Sequence, residues 1–129
     1  MYLNPVRHIT VDAHDTLALA RFWAEVTGYA VDAESDAEGA LLNAPEPGVP
    51  GLLFIRVADD KVVKNRVHLD IQPPTGTRDE TVARLLAAGA TVFEDHRTAE
   101  GLGWVTMLDP EGNEFCVERS AGERGLTTG

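Results

Sequence analysis

Hydrophobic positions along this chain switch between a period of two and a period of 3.6, and they do so in the same order twice. Residues 7–11 alternate as a strand. Between residues 16 and 27, Leu19, Phe22, Trp23 and Val26 share one helical stripe, and Gly28 follows as a left-handed cap. The pattern returns at residues 66–72, a second alternating strand. Next comes Thr77-Arg-Asp-Glu80, a capping box that opens a helix with Val82, Leu85 and Leu86 inward and Gly89 at its end. Nearly the same spacing separates His8 from Gly28 as separates His68 from Gly89.

Three further strand-like stretches follow each glycine: residues 29–34, 40–43 and 52–57 in the first half, and 91–95, 104–108 and 114–119 in the second. Each half therefore reads β-α-β-β-β. The expected class is α+β, with two βαβββ modules whose mixed sheets join into a curved cup. Module one spans about 6–57 and module two about 66–119, within a single domain of residues 1–120; residues 58–64 form a polar linker. Asp109-Pro-Glu-Gly-Asn113 carries the chemistry of a tight turn closing a hairpin, and residues 121–129, rich in Gly and Thr, are expected as a flexible tail.

Alternation also assigns faces. If Ile9, Val11, Val67, Leu69, Ile71, Phe115 and Val117 pack under the helices, then His8, Thr10 and Asp12 point the other way. So do His68, Asp70 and Gln72, and Glu114, Cys116 and Glu118. A polar, concave face holding two histidines, carboxylates and a thiol is a candidate small-molecule site.

Composition narrows the remaining choices. With 129 residues, 43% of them hydrophobic and 25% charged, the chain is long enough for one real core. A net charge of −10 argues against nucleic acid and anionic lipid surfaces as partners. The acidic residues are spread along the chain, as on a solvated surface. One cysteine, Cys116, leaves no internal disulfide, and no apolar run reads as a signal peptide or membrane span, so the expected location is cytoplasmic.

Certain stretches together resemble the vicinal oxygen chelate superfamily: His8-Ile-Thr-Val, Leu-Ala-Arg-Phe22-Trp23, Val-His68-Leu-Asp-Ile, and Asp109-Pro-Glu-Gly-Asn-Glu-Phe-Cys-Val-Glu118. The closer resemblance is to glyoxalase-like and bleomycin-resistance-like domains of actinobacterial type, over about residues 6–119. That superfamily contains glyoxalase I, extradiol dioxygenases, epimerases, fosfomycin-modifying enzymes and bleomycin-sequestering proteins. Its enzymes hold a divalent metal in the cup on the first and last strands of each module. The resemblance implies His8 and His68 as ligands. The carboxylate seven positions after the turn Asp is replaced by Cys116, with Glu118 two residues on, and the remaining ligand position falls on Phe54 or Ile55, which bind no metal.

These departures lead to an expected small-molecule binder without the usual metal, suited to drug or metabolite sequestration, with no cofactor. The alternative is a metal-dependent lyase, isomerase or dioxygenase, in which His8, His68 and Glu118 hold Fe, Mn, Ni, Co or Zn and Asp70 or another cup carboxylate moves a proton. A third reading makes the domain an interaction module with a vestigial cup. The ligand-binding residues expected in the cup are His8, Thr10, Asp12, Arg56, His68, Asp70, Gln72, Trp104, Cys116 and Glu118. Trp104 would stack on a flat ligand and Arg56 would grip a carboxylate or pair with Asp70 or Glu118. His14 and His96 fall in loops as solvated residues, with a mobile rim as the alternative for His96 beside Arg97, and the resemblance implies a homodimer.

Overall fold

Asp15 stands where the first strand gives way to a helix. Its Oδ1 accepts the Ala18 N–H at 3.0 Å, satisfying a donor that a helix start leaves open. Helix α1 (Thr16–Thr27) buries Leu19, Phe22, Trp23 and Val26 as the spacing predicts, and Gly28 ends it at φ 77°. In the computed structural model, which describes residues 3–125, the chain divides into two compact units, residues 1–60 and 61–129. The division falls inside the expected linker.

In the first unit α1 packs on a sheet made of β1 (His8–Ala13), β2 (Gly39–Leu42) and β3 (Gly51–Arg56), in the order β1-β3-β2. β1 runs parallel to β3 and β2 antiparallel to it. The strand expected at residues 29–34 is reduced to one bridge, Val31 to Leu42. Its acidic residues explain why: Asp32 Oδ2 accepts the Glu34 N–H, and Asp36 Oδ1 accepts the N–H groups of Glu38 and Gly39. Side chains that bind nearby backbone in this way draw the chain into turns instead of a ladder.

The second unit repeats the plan in full. It contains β4 (Leu69–Ile71), α2 (Arg78–Ala88), β5 (Thr91–Asp95), β6 (Val105–Leu108) and β7 (Glu114–Val117), with strand order β4-β7-β6-β5. Again the first strand lies parallel to the last, and the other pairs are antiparallel. A register shift between Val92 and Glu94 puts a bulge in β5. Thr77 Oγ1 accepts the Glu80 N–H at 3.1 Å, so the expected cap forms, and Gly89 ends α2 at φ 118°.

The structure corrects several details. β4 is shorter than residues 66–72, and Val67, expected under the helix, is 73% exposed. On one side His68 Nε2 lies 2.9 Å from the Asn65 carbonyl oxygen in a turn, and on the other Pro73 and Pro74 offer no N–H to a ladder. In α2 the buried stripe is Arg78, Val82 and Leu85, while Leu86 turns outward.

Residues 121–125 are not a free tail. Ala121 and Gly122 donate to the carbonyls of Pro73 and Pro74, and Glu123 Oε1 accepts the N–H groups of Arg78 (2.6 Å) and Ser120 (2.8 Å). The Glu123 carboxylate thereby serves the positive end of α2. Residues 126–129, the rest of the expected tail, lie outside the described residues. Among the described residues no helix is long and apolar enough to cross a membrane.

Candidate functional site

The strand register of the second unit builds the site. Asp70 stands opposite Cys116, Cys116 opposite Thr106, and Thr106 opposite Glu94, so four polar side chains from four strands form one row on one face. One alternation further along, Trp104 falls level with Glu118 and His96, and the His96 N–H donates to the Trp104 carbonyl at 2.9 Å. These rows, with His68 and Lys64 toward one end and Arg119 and Arg124 toward the other, bound an open hollow of about 720 Å³. That volume suits a drug-sized molecule, and all of its lining belongs to the second unit.

His96 and Trp104 stack at 4.6 Å between ring centroids with 26° between planes, making a flat aromatic surface beside the polar row. The loop joining them is held from behind. Arg78, 4% exposed, donates from Nη1 to the carbonyls of Leu102 (2.9 Å) and Gly103 (3.0 Å). Arg97 pairs with Asp95 at 2.7 Å and Asp79 at 3.2 Å. Gly103 has φ 84°, and a Cβ there would overlap the His96 carbonyl oxygen, so only glycine allows this approach.

Cys116 is a protonated thiol in this setting. Burial pushes it above the usual range and the Asp70 and Glu118 carboxylates add to the effect, outweighing the hydrogen bond with Thr106 Oγ1 at 3.4 Å. It is therefore not an activated nucleophile. Among the described residues no three His, Cys, Asp or Glu side chains group closely enough to hold one. Within the second unit His68 falls level with Glu114, four strand positions from Glu118, about 13 Å of strand rise.

Of the residues expected from sequence, His68, Asp70, Trp104, Cys116 and Glu118 line this hollow. Gln72 does not; its Nε2 donates to the Arg119 carbonyl at 3.3 Å. His8, Thr10 and Asp12 lie on β1 of the first unit, opposite Gly51, Leu53 and Ile55. The register there also settles which way Arg56 points. It pairs with the buried Ala13 and shares the parity of the fully buried Phe54, so it leaves the Thr10 and Asp12 face to Leu53 and Ile55. Sequence reasoning missed His96, Glu94, Thr106, Lys64, Arg119 and Arg124. Extending the β5 alternation from Glu94 by one step would have carried His96 onto the same face.

Acid should loosen this unit. Arg97 beside Asp95 holds that carboxyl down to about 2, and Arg78 with Arg97 holds Asp79 low. Burial raises Glu114, but the Asn65 N–H and Lys61 outweigh it and leave it below the ordinary value, and backbone hydrogen bonding from Ser120 lowers Glu123. A carboxyl lowered by folding adds stability above its unfolded value, here 3.8 or 4.5, and loses it as pH falls through the folded value. The expected result is a thermal midpoint that drops between pH 4.5 and about 2. Trp104 emission should shift in that window, and an unchanged midpoint down to pH 2 would refute the assignment.

A βαβββ plan met twice, complete in the second unit and with one strand reduced to a bridge in the first, each with its first strand parallel to its last, is that of the glyoxalase/bleomycin resistance/dioxygenase class of fold. The chain belongs to the glyoxalase-like domain family, whose sequence profile matches residues 8–118. Among solved structures it is similar to a glyoxalase/bleomycin resistance protein/dioxygenase family enzyme from Burkholderia phytofirmans PsJN (TM-score 0.66, 19% identity, covering 88% of this chain and 97% of that one). A glyoxalase-related enzyme from Fulvimarina pelagi aligns with TM-score 0.65 and 22% identity over 89% of this chain and 87% of its own. Lactoylglutathione lyase from Agrobacterium tumefaciens aligns with TM-score 0.61 and 19% identity over 95% and 98%. No curated protein matches the sequence. At these identities the structural likenesses establish the fold.

Proposed function

We propose that this protein binds a small, flat organic molecule in the hollow of the second unit, without a resident metal, as a drug- or metabolite-sequestering member of its family. The stacked His96 and Trp104 rings carry the proposal. They present a flat aromatic surface at the edge of a drug-sized hollow, with Trp104 44% exposed, and a loop anchored by a buried arginine keeps them in place. A ring laid on that surface gains stacking and sheds water from both faces, while the polar row sets its orientation. The protonated Cys116 and the scattered metal-binding side chains support binding over metal-assisted turnover. The homodimer implied by the family resemblance belongs to the same proposal, and light scattering tests it directly.

Trp104 is itself the reporter, because the other tryptophan, Trp23, is 4% exposed in the core of the first unit. Titrating a panel of flat quinones, flavonoid-like rings and heteroaromatic antibiotics should give at least one saturable quench of Trp104 emission. For that molecule Trp104→Leu should weaken affinity about 5- to 30-fold, read by calorimetry, since stacking contributes about 1–2 kcal/mol. No binding from the panel, together with one divalent ion retained per chain and lost in His68→Ala, would replace this reading with a metal-dependent lyase, isomerase or dioxygenase.

A further inference from the structure

The second unit treats its charges differently inside and outside the hollow. Outside it, cations and anions meet: Lys61 pairs with Glu114 at 2.9 Å, Arg78 with Asp79 at 3.0 Å and Arg97 with Asp95 at 2.7 Å. Inside, Glu94 and His96 approach at 3.7 Å, an ion pair only when His96 is protonated, while among the described residues Asp70, Glu118, Lys64, Arg119 and Arg124 make no ion pair. Arg119 is the most under-used. Its Nη2 donates to the Glu123 carbonyl at 3.0 Å, and its buried Nε has no acceptor. A guanidinium has five donors, and this one sits at the wall of a cavity with only one of them assigned a partner.

Opposite charges lining one cavity without meeting each other are complementary to a molecule that carries both. Resting on the reading of this hollow as a binding site, we infer that its ligand is dipolar: a flat ring bearing one cationic and one anionic group. The ring lies on Trp104 and His96, the anionic group reaches Arg119 and Arg124, and the cationic group reaches Glu118 with Asp70 beyond it. Glu118 and Trp104 fall level across the sheet, and Arg119 follows Glu118 in the chain, so the ring surface and both charge-binding ends are neighbours. A purely anionic ligand would face two unpaired carboxylates, and a purely cationic one would face the arginines. Either mismatch sets like charges against each other and costs affinity, which is how such a lining discriminates.

Four probes that share one ring isolate the charge requirement: tryptophan carries both charges, tryptamine the positive alone, indole-3-propionate the negative alone, and 3-methylindole neither. Calorimetry at low ionic strength should find tryptophan at least 10-fold tighter than each of the other three. Arg119→Gln should bring tryptophan down to the level of tryptamine, with Arg124→Gln a second variant to the same end. Glu118→Gln should bring it down to that of indole-3-propionate.

A singly charged or neutral probe that binds as tightly as tryptophan overturns the dipolar ligand and leaves the binding site standing. Failure of all four, while a flat molecule of the earlier panel quenches Trp104, does the same. Failure of every molecule in both sets overturns both readings.

Discussion

Gly103→Ala is expected to cost about 3 kcal/mol or more of stability and to abolish the aromatic surface of the hollow, whereas Gly101→Ala, two residues away, should cost about 1–2 kcal/mol. The two glycines have nearly the same backbone, φ 84° and φ 83°, so the intrinsic penalty of a left-handed alanine is common to both. They differ in what surrounds them. Nothing lies within 4 Å of a Cβ at position 101, but at 103 it would overlap the His96 carbonyl oxygen and stand 2.9 Å from the His96 carbonyl carbon.

Backbone cannot yield as a side-chain tip does. The loop must instead withdraw from His96, lengthening the Arg78 bonds to Leu102 and Gly103 and separating the stacked rings. Thermal unfolding gives the stability difference, and Trp104 emission reports the loss of the stack. Equal effects at the two positions would show that the close approach is not what constrains this loop.

Glu114→Ala is the second substitution with a large expected effect, about 2–4 kcal/mol, since it strips a buried carboxylate from its partners. Glu114 is 5% exposed; its Oε1 accepts from Lys61 Nζ at 2.9 Å and its Oε2 from the Asn65 N–H at 2.9 Å. Without it the Lys61 ammonium keeps the Val63 carbonyl, 2.8 Å away, but loses its counter-charge, and the Asn65 N–H loses its acceptor. The effect should reach the site, because Lys64 lines the hollow and His68 is tied to the Asn65 carbonyl. Urea unfolding of Glu114→Ala and Glu114→Gln tests this. Glutamine keeps an acceptor but not the charge, so it should recover part of the loss; a full recovery would mean that the charge contributes nothing.

Helices were the most legible part of the chain because periodicity and caps agreed. Leu19, Phe22, Trp23 and Val26 fixed the face of α1 and Gly28 its end, and Thr77 with Gly89 bracketed α2. The doubled plan was equally visible in the repeated spacing from histidine to glycine. Residues 29–34 misled because alternation describes side chains only; Asp32 and Asp36, which look like strand-end polar residues, bind backbone donors and turn the chain.

For the site, parity placed Asp70, Cys116 and Glu118 on one face, and these three line the hollow together with Trp104. His96 was readable only by carrying the β5 alternation one step past the strand's end, and Arg119 and Arg124, which follow the end of β7, were not readable. Their placement depends on the Gly103 approach and on the docking of residues 120–125, which no local pattern encodes.

The bulge in β5 bears on how this molecule behaves in a crowded solution. β5 ends its sheet, every residue from Thr91 to Asp95 is exposed, and Val92 and Phe93 add apolar surface to a strand that would otherwise template aggregation. The register shift between Val92 and Glu94 breaks the even spacing of donors and acceptors at that point, so a second straight strand cannot zip along it. The overall charge of −10 adds repulsion between copies at longer range. A single misplaced residue in β5 thus works against edge-to-edge pairing of copies along this strand.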